Sequence, residues 1–188
     1  MDIKIPYTPR KHQKLLHQQI DKHRWSVLVC HRRFGKTVCM INHLIRSALL
    51  SKLKNPRFAY IAPTFKQAKS IAWDYMKQFT DKIPYIKFNE TELRVDLPNG
   101  ARITLLGSDS PDGLRGIYLD GCVIDEYANV NSKLFPEIIR PALSDRKGYC
   151  VFIGTPAGMN NNFYELYQHA NGAEDWFNYK AKASETKI

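Results

Sequence analysis

Residues 25–49 restrict the fold of this chain more than any other stretch. An apolar run, Trp25-Ser26-Val27-Leu28-Val29-Cys30, meets a polar loop, His31-Arg32-Arg33-Phe34-Gly35-Lys36-Thr37. From about Lys36 a helical pattern follows, with Val38, Ile41, Leu44, Ile45, Ala48 and Leu49 on one face. A short β-rich run without polar alternation reads as a strand buried on both faces. A buried strand feeding an amphipathic helix implies a parallel sheet covered by helices.

The rest of the chain repeats this alternation. Thr8-Pro9 has the form of an N-cap and first-turn proline for a helix whose apolar face is Leu15, Leu16 and Ile20. Asn55-Pro56 ends the second helix, and Phe58 to Ala62 read as a strand. Pro63 opens a helix with the stripe Ala68, Ile71, Ala72, Tyr75, Met76 and Phe79, a pattern of core packing. Leu93, Val95 and Leu97 alternate, Asn99-Gly100 supplies a turn, and Ile103 and Leu105 alternate again, which predicts a hairpin. Then come a strand Gly121–Asp125, a helical stretch near 132–143, a strand Tyr149–Ile153 and a helix near Phe163–His169. The expected fold is α/β, a mainly parallel sheet with helices on both faces and the hairpin as an antiparallel edge. Ligands of such sheets bind beyond the carboxyl ends of the strands, and each polar cluster considered below follows a strand end.

Composition narrows the function classes. The 188 residues are expected to form one domain, 1–188, long enough to bury about 70% of the unfolded surface without disulfides or metal. The four cysteines show no C-x-x-C spacing, and Cys30, Cys122 and Cys150 fall in predicted strands. No apolar run approaches the roughly 18–20 residues of a membrane span, and the start MDIKIPYTPRKHQ lacks a signal-peptide core. A reduced cytosolic protein without membrane partners is expected. Net charge is +10, and residues 1–60 hold 13 basic side chains against two acids. Such a field points to a polyanion, nucleic acid first, or else to a solvated basic surface.

The loop before the first long helix has the ending of the G-x-x-x-x-G-K-[ST] pattern, which wraps backbone N–H groups around phosphates at a helix N-terminus. Lys36 would reach the β- and γ-phosphates of ATP, and the Thr37 hydroxyl would ligate Mg²⁺. Cys30 replaces the first glycine. Arg32 and Arg33 beside Lys36 repel one another unless a polyanion neutralises them. Arg32 is read as a γ-phosphate contact and Arg33 as outward or structural, with solvent exposure of both as the alternative. The phosphate-binding set is thus Arg32, Arg33, Phe34, Gly35, Lys36 and Thr37. Cys122-Val123-Ile124-Asp125-Glu126 is an apolar strand ending in two acids. Asp125 would hold the Mg²⁺ shell and Glu126 would polarise the attacking water, whereas alone the pair also suits a surface turn. In Gly154-Thr155-Pro156, Thr155 would sense the γ-phosphate, or the segment is a simple turn. With the strand at 58–62 between Thr37 and Asp125 in the sequence, these elements match P-loop NTPases of the additional-strand, catalytic-glutamate type. His12, His17, His23, His43 and His169 show no ligand spacing and read as surface or structural.

These residues resemble the ATPase domain of the large terminase subunits that package DNA into tailed bacteriophages. Four pieces stand in the family's order: the arginine-bearing Walker A variant His31 to Thr37, Leu114-Arg115-Gly116, the Walker B run ending Asp125-Glu126, and the coupling motif Gly154-Thr155-Pro156. Tyr7-Thr8-Pro9-Arg10-Lys11-His12-Gln13 resembles the adenine-reading segment, with Gln13 on the base. The resemblance implies an ATP- and Mg²⁺-dependent motor moving double-stranded DNA. It implies a homomeric ring, pentameric when assembled, working with the portal protein and the small terminase subunit at the procapsid portal in the host cytoplasm. Arg115 would be an arginine finger acting in trans, or else a local partner of Asp109, Asp112 or Asp120. Family members continue into a lid and a nuclease domain, and residues 183–188 fall about where the lid should begin. The chain is therefore expected to be a fragment or a short protein without nuclease activity. Two other functions fit the same residues: a helicase-like ATPase that remodels nucleic acid, and a DNA-binding or assembly module with a degraded nucleotide site.

Overall fold

The apolar run at Trp25 folds as expected into a strand whose six residues are all buried. The structure, a computed structural model, describes residues 4–186. In chain order its elements are α1 (Lys11–Ile20), β1 (Trp25–Cys30), α2 (Lys36–Leu50), β2 (Arg57–Ala62) and α3 (Phe65–Gln67), with α3 running through a π segment Ala68–Trp73 into α4 (Asp74–Thr80). There follow β3 (Lys87–Asn89), β4 (Arg94–Asp96), β5 (Arg102–Gly107), β6 (Gly121–Ile124), a π segment Phe135–Ile139 leading into α5 (Arg140–Ala142), β7 (Tyr149–Gly154), α6 (Asn162–His169), β8 (Trp176–Ala181) and α7 (Ala183–Thr186). Residues 187–188, the end of the segment expected to open a lid, lie outside the described residues.

One eight-stranded sheet has the order β3-β4-β5-β2-β6-β7-β1-β8. The six strands from β5 to β8 in that order are parallel, and β3 and β4 extend one edge antiparallel. The expected P-loop architecture and its edge hairpin are both present. β7, not the strand at 57–62, separates β1 from β6 in space. Ile61, Ile124, Phe152 and Val27 stand abreast, so β2, β6, β7 and β1 end together at one edge of the sheet.

Side chains alternate between two cores, because successive strand residues face opposite sides. Leu28, Tyr60, Val123, Val151 and Ile153 pack under α1, α2 and the 65–80 helical run. Val27, Ile61, Ile124 and Phe152 pack against residues 127–143 and Phe163 of α6. Gly107 is required at the end of β5: a Cβ there would lie 2.2 Å from the Phe65 backbone N, which donates to Asp109 Oδ1 at 3.1 Å. Its small size lets the loops after β2 and β5 lie together at the sheet edge.

Four local expectations are corrected. The first helix begins at Lys11 with Arg10 as N-cap, not at Thr8-Pro9, and the Arg10 N–H donates to Gln13 Oε1 at 3.0 Å. The Gln13 side chain thus satisfies the open N-terminal turn in place of a Thr cap. In the 65–80 run Ile71 and Tyr75 are exposed while Trp73 is buried, since the wider π turn rotates the stripe that α-helical spacing predicts. The helix expected near 132–143 is a short π and α pair with prolines at 136 and 141. β8 lies where the sequence pattern predicts no strand, and it pairs along the whole of β1.

Candidate functional site

Side chains from the P-loop, β2, β6 and β7 meet beyond the strand ends. Gly35 takes φ +80° as N-cap of α2, a left-handed conformation that favours glycine, and Arg33 takes φ +67°. These two reversals turn the loop from β1 into the first turn of α2, where Lys36 and Thr37 stand. Lys36 Nζ lies 3.3 Å from Glu126 Oε1, and Thr155 donates from Oγ1 to Glu126 Oε2 at 3.3 Å. Glu126 takes φ +45°, a backbone bend that aims its side chain across the end of β7. Lysine, acid and threonine, predicted from three separate motifs, therefore form one chain.

Asp125 is buried below them. Its Oδ1 accepts from the Glu126 N–H at 2.8 Å, and its Oδ2 accepts from the Tyr60 hydroxyl. Burial pushes the Asp125 carboxyl above the usual carboxylate range, opposed by the Tyr60 hydrogen bond, with the Glu126 charge adding to the rise and Lys36 lowering it. The Tyr60 hydroxyl also has the Thr37 side chain as a hydrogen-bond neighbour, and burial first, then Asp125, raise its pKa. Tyr60 is the site residue that sequence reasoning missed. Within Phe58-Ala59-Tyr60-Ile61-Ala62 it reads as one more core side chain, and only the pairing of β2 with β6 brings it to Asp125.

The other expected residues are placed as follows. Gln13 is buried, and its Nε2 donates to the Gly35 carbonyl at 3.3 Å while Oε1 accepts from Arg10 N–H. In this conformation Gln13 braces α1 against the P-loop. Arg32 and Arg33 are exposed. The Phe34 ring is buried, 6.4 Å from the Tyr179 ring between centroids, so what Phe34 offers a phosphate is its backbone amide. Arg115 is exposed on the loop after Leu114. Of the candidate local acids, Asp109 accepts from the Phe65 N–H, and Asp120 is held by Arg146 at 3.3 Å and the Arg57 N–H at 2.7 Å. The third, Asp112, lies outside the described side chains.

Two of the histidines read as structural, half-buried His17 and buried His43, meet between α1 and α2. His17 Nδ1 is 3.0 Å from His43 Nδ1, and His17 Nε2 is 3.1 Å from the Tyr7 hydroxyl. Burial pulls the His17 pKa down to about 4, and burial followed by the His17 charge lowers that of His43. The four cysteines are free and buried. Among the described residues no helix is long and apolar enough to cross a membrane.

The fold that carries this site recurs in known proteins. The ATPase domain of the Thermus phage P74-26 large terminase superposes with a TM-score of 0.79 at 22% identity, covering 96% of this chain and 84% of that one. A large terminase from another thermophilic bacteriophage, solved in complex with ADP, gives 0.79 at 16% identity over 94% of this chain and 46% of that one. At these identities the likeness shows the fold. The large terminase subunit of Thermus phage G20c is 31% identical over 126 residues, covering 57% of this chain and 26% of the relative. The chain thus spans about a quarter of that relative's length. The family described as terminase large subunit, T4likevirus-type, N-terminal matches residues 29–187, from the P-loop strand through β8, and the chain belongs to it.

Proposed function

We propose that this chain is the ATP-hydrolysing motor domain of a viral DNA-packaging terminase. The observation that carries the reading is the link Lys36–Glu126–Thr155, which joins a phosphate-binding lysine, a general base and a γ-phosphate sensor across three strand ends. Lys36 and the backbone amides of residues 34–37 would bind the β- and γ-phosphates, with Arg32 and Arg33 close enough along the loop to add charge. Thr37 and Asp125 would hold Mg²⁺, which neutralises charge across the β- and γ-phosphates. Their hard oxygens, one a buried carboxylate joined to Thr37 through Tyr60, suit that ion.

Glu126 would orient the attacking water and accept its proton as the bond from γ-phosphorus to the bridging oxygen breaks, ADP leaving with that electron pair. When phosphate draws Lys36 away, the Glu126 carboxylate is released to the water, and Thr155, bonded to the same carboxylate, registers the exchange. Gln13 would serve the base side of the site, and Arg115 would reach a neighbour's nucleotide in trans. The partners of this reading are double-stranded DNA, further copies in a pentameric ring, the portal protein and the small terminase subunit, at the procapsid portal in the host cytoplasm. That DNA is moved rather than cut by this chain is part of the same proposal.

Equilibrium binding of labelled ATP with Mg²⁺ tests it. Saturable binding by the parent chain, lost in Lys36→Ala, is expected. Absence of saturable binding by the parent would favour the assembly-module reading, and strand displacement by the chain would favour the helicase-like one.

A further inference from the structure

Tyr60 lies wholly inside the core on β2, among Phe58, Ala59, Ile61 and Ala62, with its phenol oxygen as the one polar side-chain atom of that stretch. It stands abreast of Val123, two residues before Asp125, so Tyr60, Val123 and Asp125 face the same side of the sheet, under α2. A buried hydroxyl left without partners costs about 1–3 kcal/mol, and a phenylalanine would fill the same space without that risk. The Tyr60 hydroxyl has two polar neighbours. It donates to Asp125 Oδ2, and the Thr37 side chain is near enough to lower its pKa.

The direction of the protons matters. Asp125 is acceptor-only when ionised, so the phenol proton points at Asp125. The phenol oxygen is then free to accept, and the Thr37 hydroxyl can turn its proton toward it. A threonine that ligates a cation through its neutral hydroxyl must turn its proton away from the cation and its lone pairs toward it. Tyr60 supplies the acceptor that makes this so. At Asp125, the Glu126 N–H at 2.8 Å holds one oxygen and Tyr60 the other, so the carboxylate plane is fixed.

We propose that Tyr60 is the positioning residue of the divalent-cation site, setting the lone pairs of Thr37 and Asp125 toward one point from a strand that carries no ligand itself. The inference rests on the ATPase reading above and goes beyond it. Tyr60 is fully buried behind the two ligands, so its effect should be confined to the cation-dependent part of binding.

The test is a Mg²⁺ titration of the binding of a fluorescent ADP analogue to the 188-residue chain, with Mn²⁺ binding in the presence of ADP followed by electron paramagnetic resonance. In Tyr60→Phe the Mg²⁺ concentration for half-maximal tightening should rise about tenfold or more, the loss expected for one hydrogen bond to a charged group. Binding in EDTA should match the parent. In an Asp125→Asn background the added Tyr60→Phe change should shift the Mg²⁺ requirement by less than it does in the parent, since part of the Tyr60 effect runs through Asp125. A parental Mg²⁺ requirement in Tyr60→Phe, a lowered one, or full additivity with Asp125→Asn would each overturn the inference and leave the ATPase reading standing. If the parent shows no cation-dependent nucleotide binding, both fall together. Thermal unfolding of each variant separates these outcomes from loss of the fold.

Discussion

Replacing Glu126 by Gln separates the observed Lys36 contact from the base role proposed for the same carboxylate. Glu126 holds Lys36 at 3.3 Å, with the lysine side chain 15% and the glutamate 31% exposed. At the effective dielectric of a partly exposed pair, that separation corresponds to about 5 kcal/mol of gross attraction, of which desolvation and side-chain ordering leave about 1 kcal/mol net. An arriving phosphate must take Lys36 from this partner. Glu126→Gln keeps the shape and the αL backbone but removes the charge, so ATP should bind about fivefold more tightly. Hydrolysis should fall by about 10²–10⁴, the range for loss of a general base. The assay is paired: equilibrium binding of ATP with Mg²⁺, and phosphate release under single-turnover conditions, on the same preparation. Parental turnover would remove Glu126 from the reaction. Weaker ATP binding by a folded Glu126→Gln chain would refute the exchange of Lys36 between carboxylate and phosphate.

Two further predictions concern the ring and the core. If Arg115 acts on a neighbour's nucleotide, Arg115→Ala should lose about 10³-fold or more in ATP turnover, and mixing it with inactive Lys36→Ala chains should restore a measurable fraction; no recovery at any mixing ratio would exclude action in trans. His17, with its folded pKa lowered to about 4 from the usual 6.5, stays neutral in the folded chain while the unfolded chain takes up a proton below that usual value. Stability should therefore be unaffected by His17 above pH 6.5, decline as pH falls from 6.5 toward 4, and lose about 3 kcal/mol across that window, with His17→Asn flattening the profile in urea unfolding.

What is legible in the sequence follows from how local each signal is. β1, β6 and β7 are short, almost wholly apolar runs, and their buried positions need no knowledge of their neighbours. The hairpin of β4 and β5 carries its own turn at Asn99-Gly100. β8 escapes because Trp176-Phe-Asn-Tyr-Lys-Ala lies at an edge, mostly half-buried, where polar residues interrupt the pattern. The π segment at Ala68–Trp73 is invisible to a 3.6-residue period, which is why helical spacing puts Ile71 inside and leaves Trp73 out. At the site, Lys36, Asp125, Glu126 and Thr155 can be read because each ends or follows a strand. Tyr60 cannot, because its significance depends on β2 lying beside β6, a pairing between segments distant in the sequence.

The basic excess of the first third of the chain divides by geometry. Arg24 donates to the carbonyls of Gly148 and Leu143 and stacks over Trp25 at 4.6 Å, fastening β1 to the segment before β7. Arg46 pairs with Asp21 at 2.9 Å and joins α1 to α2. Arg57 donates to the carbonyls of Pro56 and Gly100 beside the hairpin turn, where Arg146 and Tyr118 complete a cation–π group. These three arginines hold elements together, and the Arg46 charge is offset by the Asp21 carboxylate. Arg32, Arg33 and Lys36 differ from them: all three lie on one loop at the strand ends, and both arginines are exposed. Three of the thirteen basic residues in that third are therefore architecture. That P-loop stretch, where Glu126 already holds Lys36, is one basic site open to a polyanion, and Lys11, Lys14, Lys22, Lys52 and Lys54 are exposed as well.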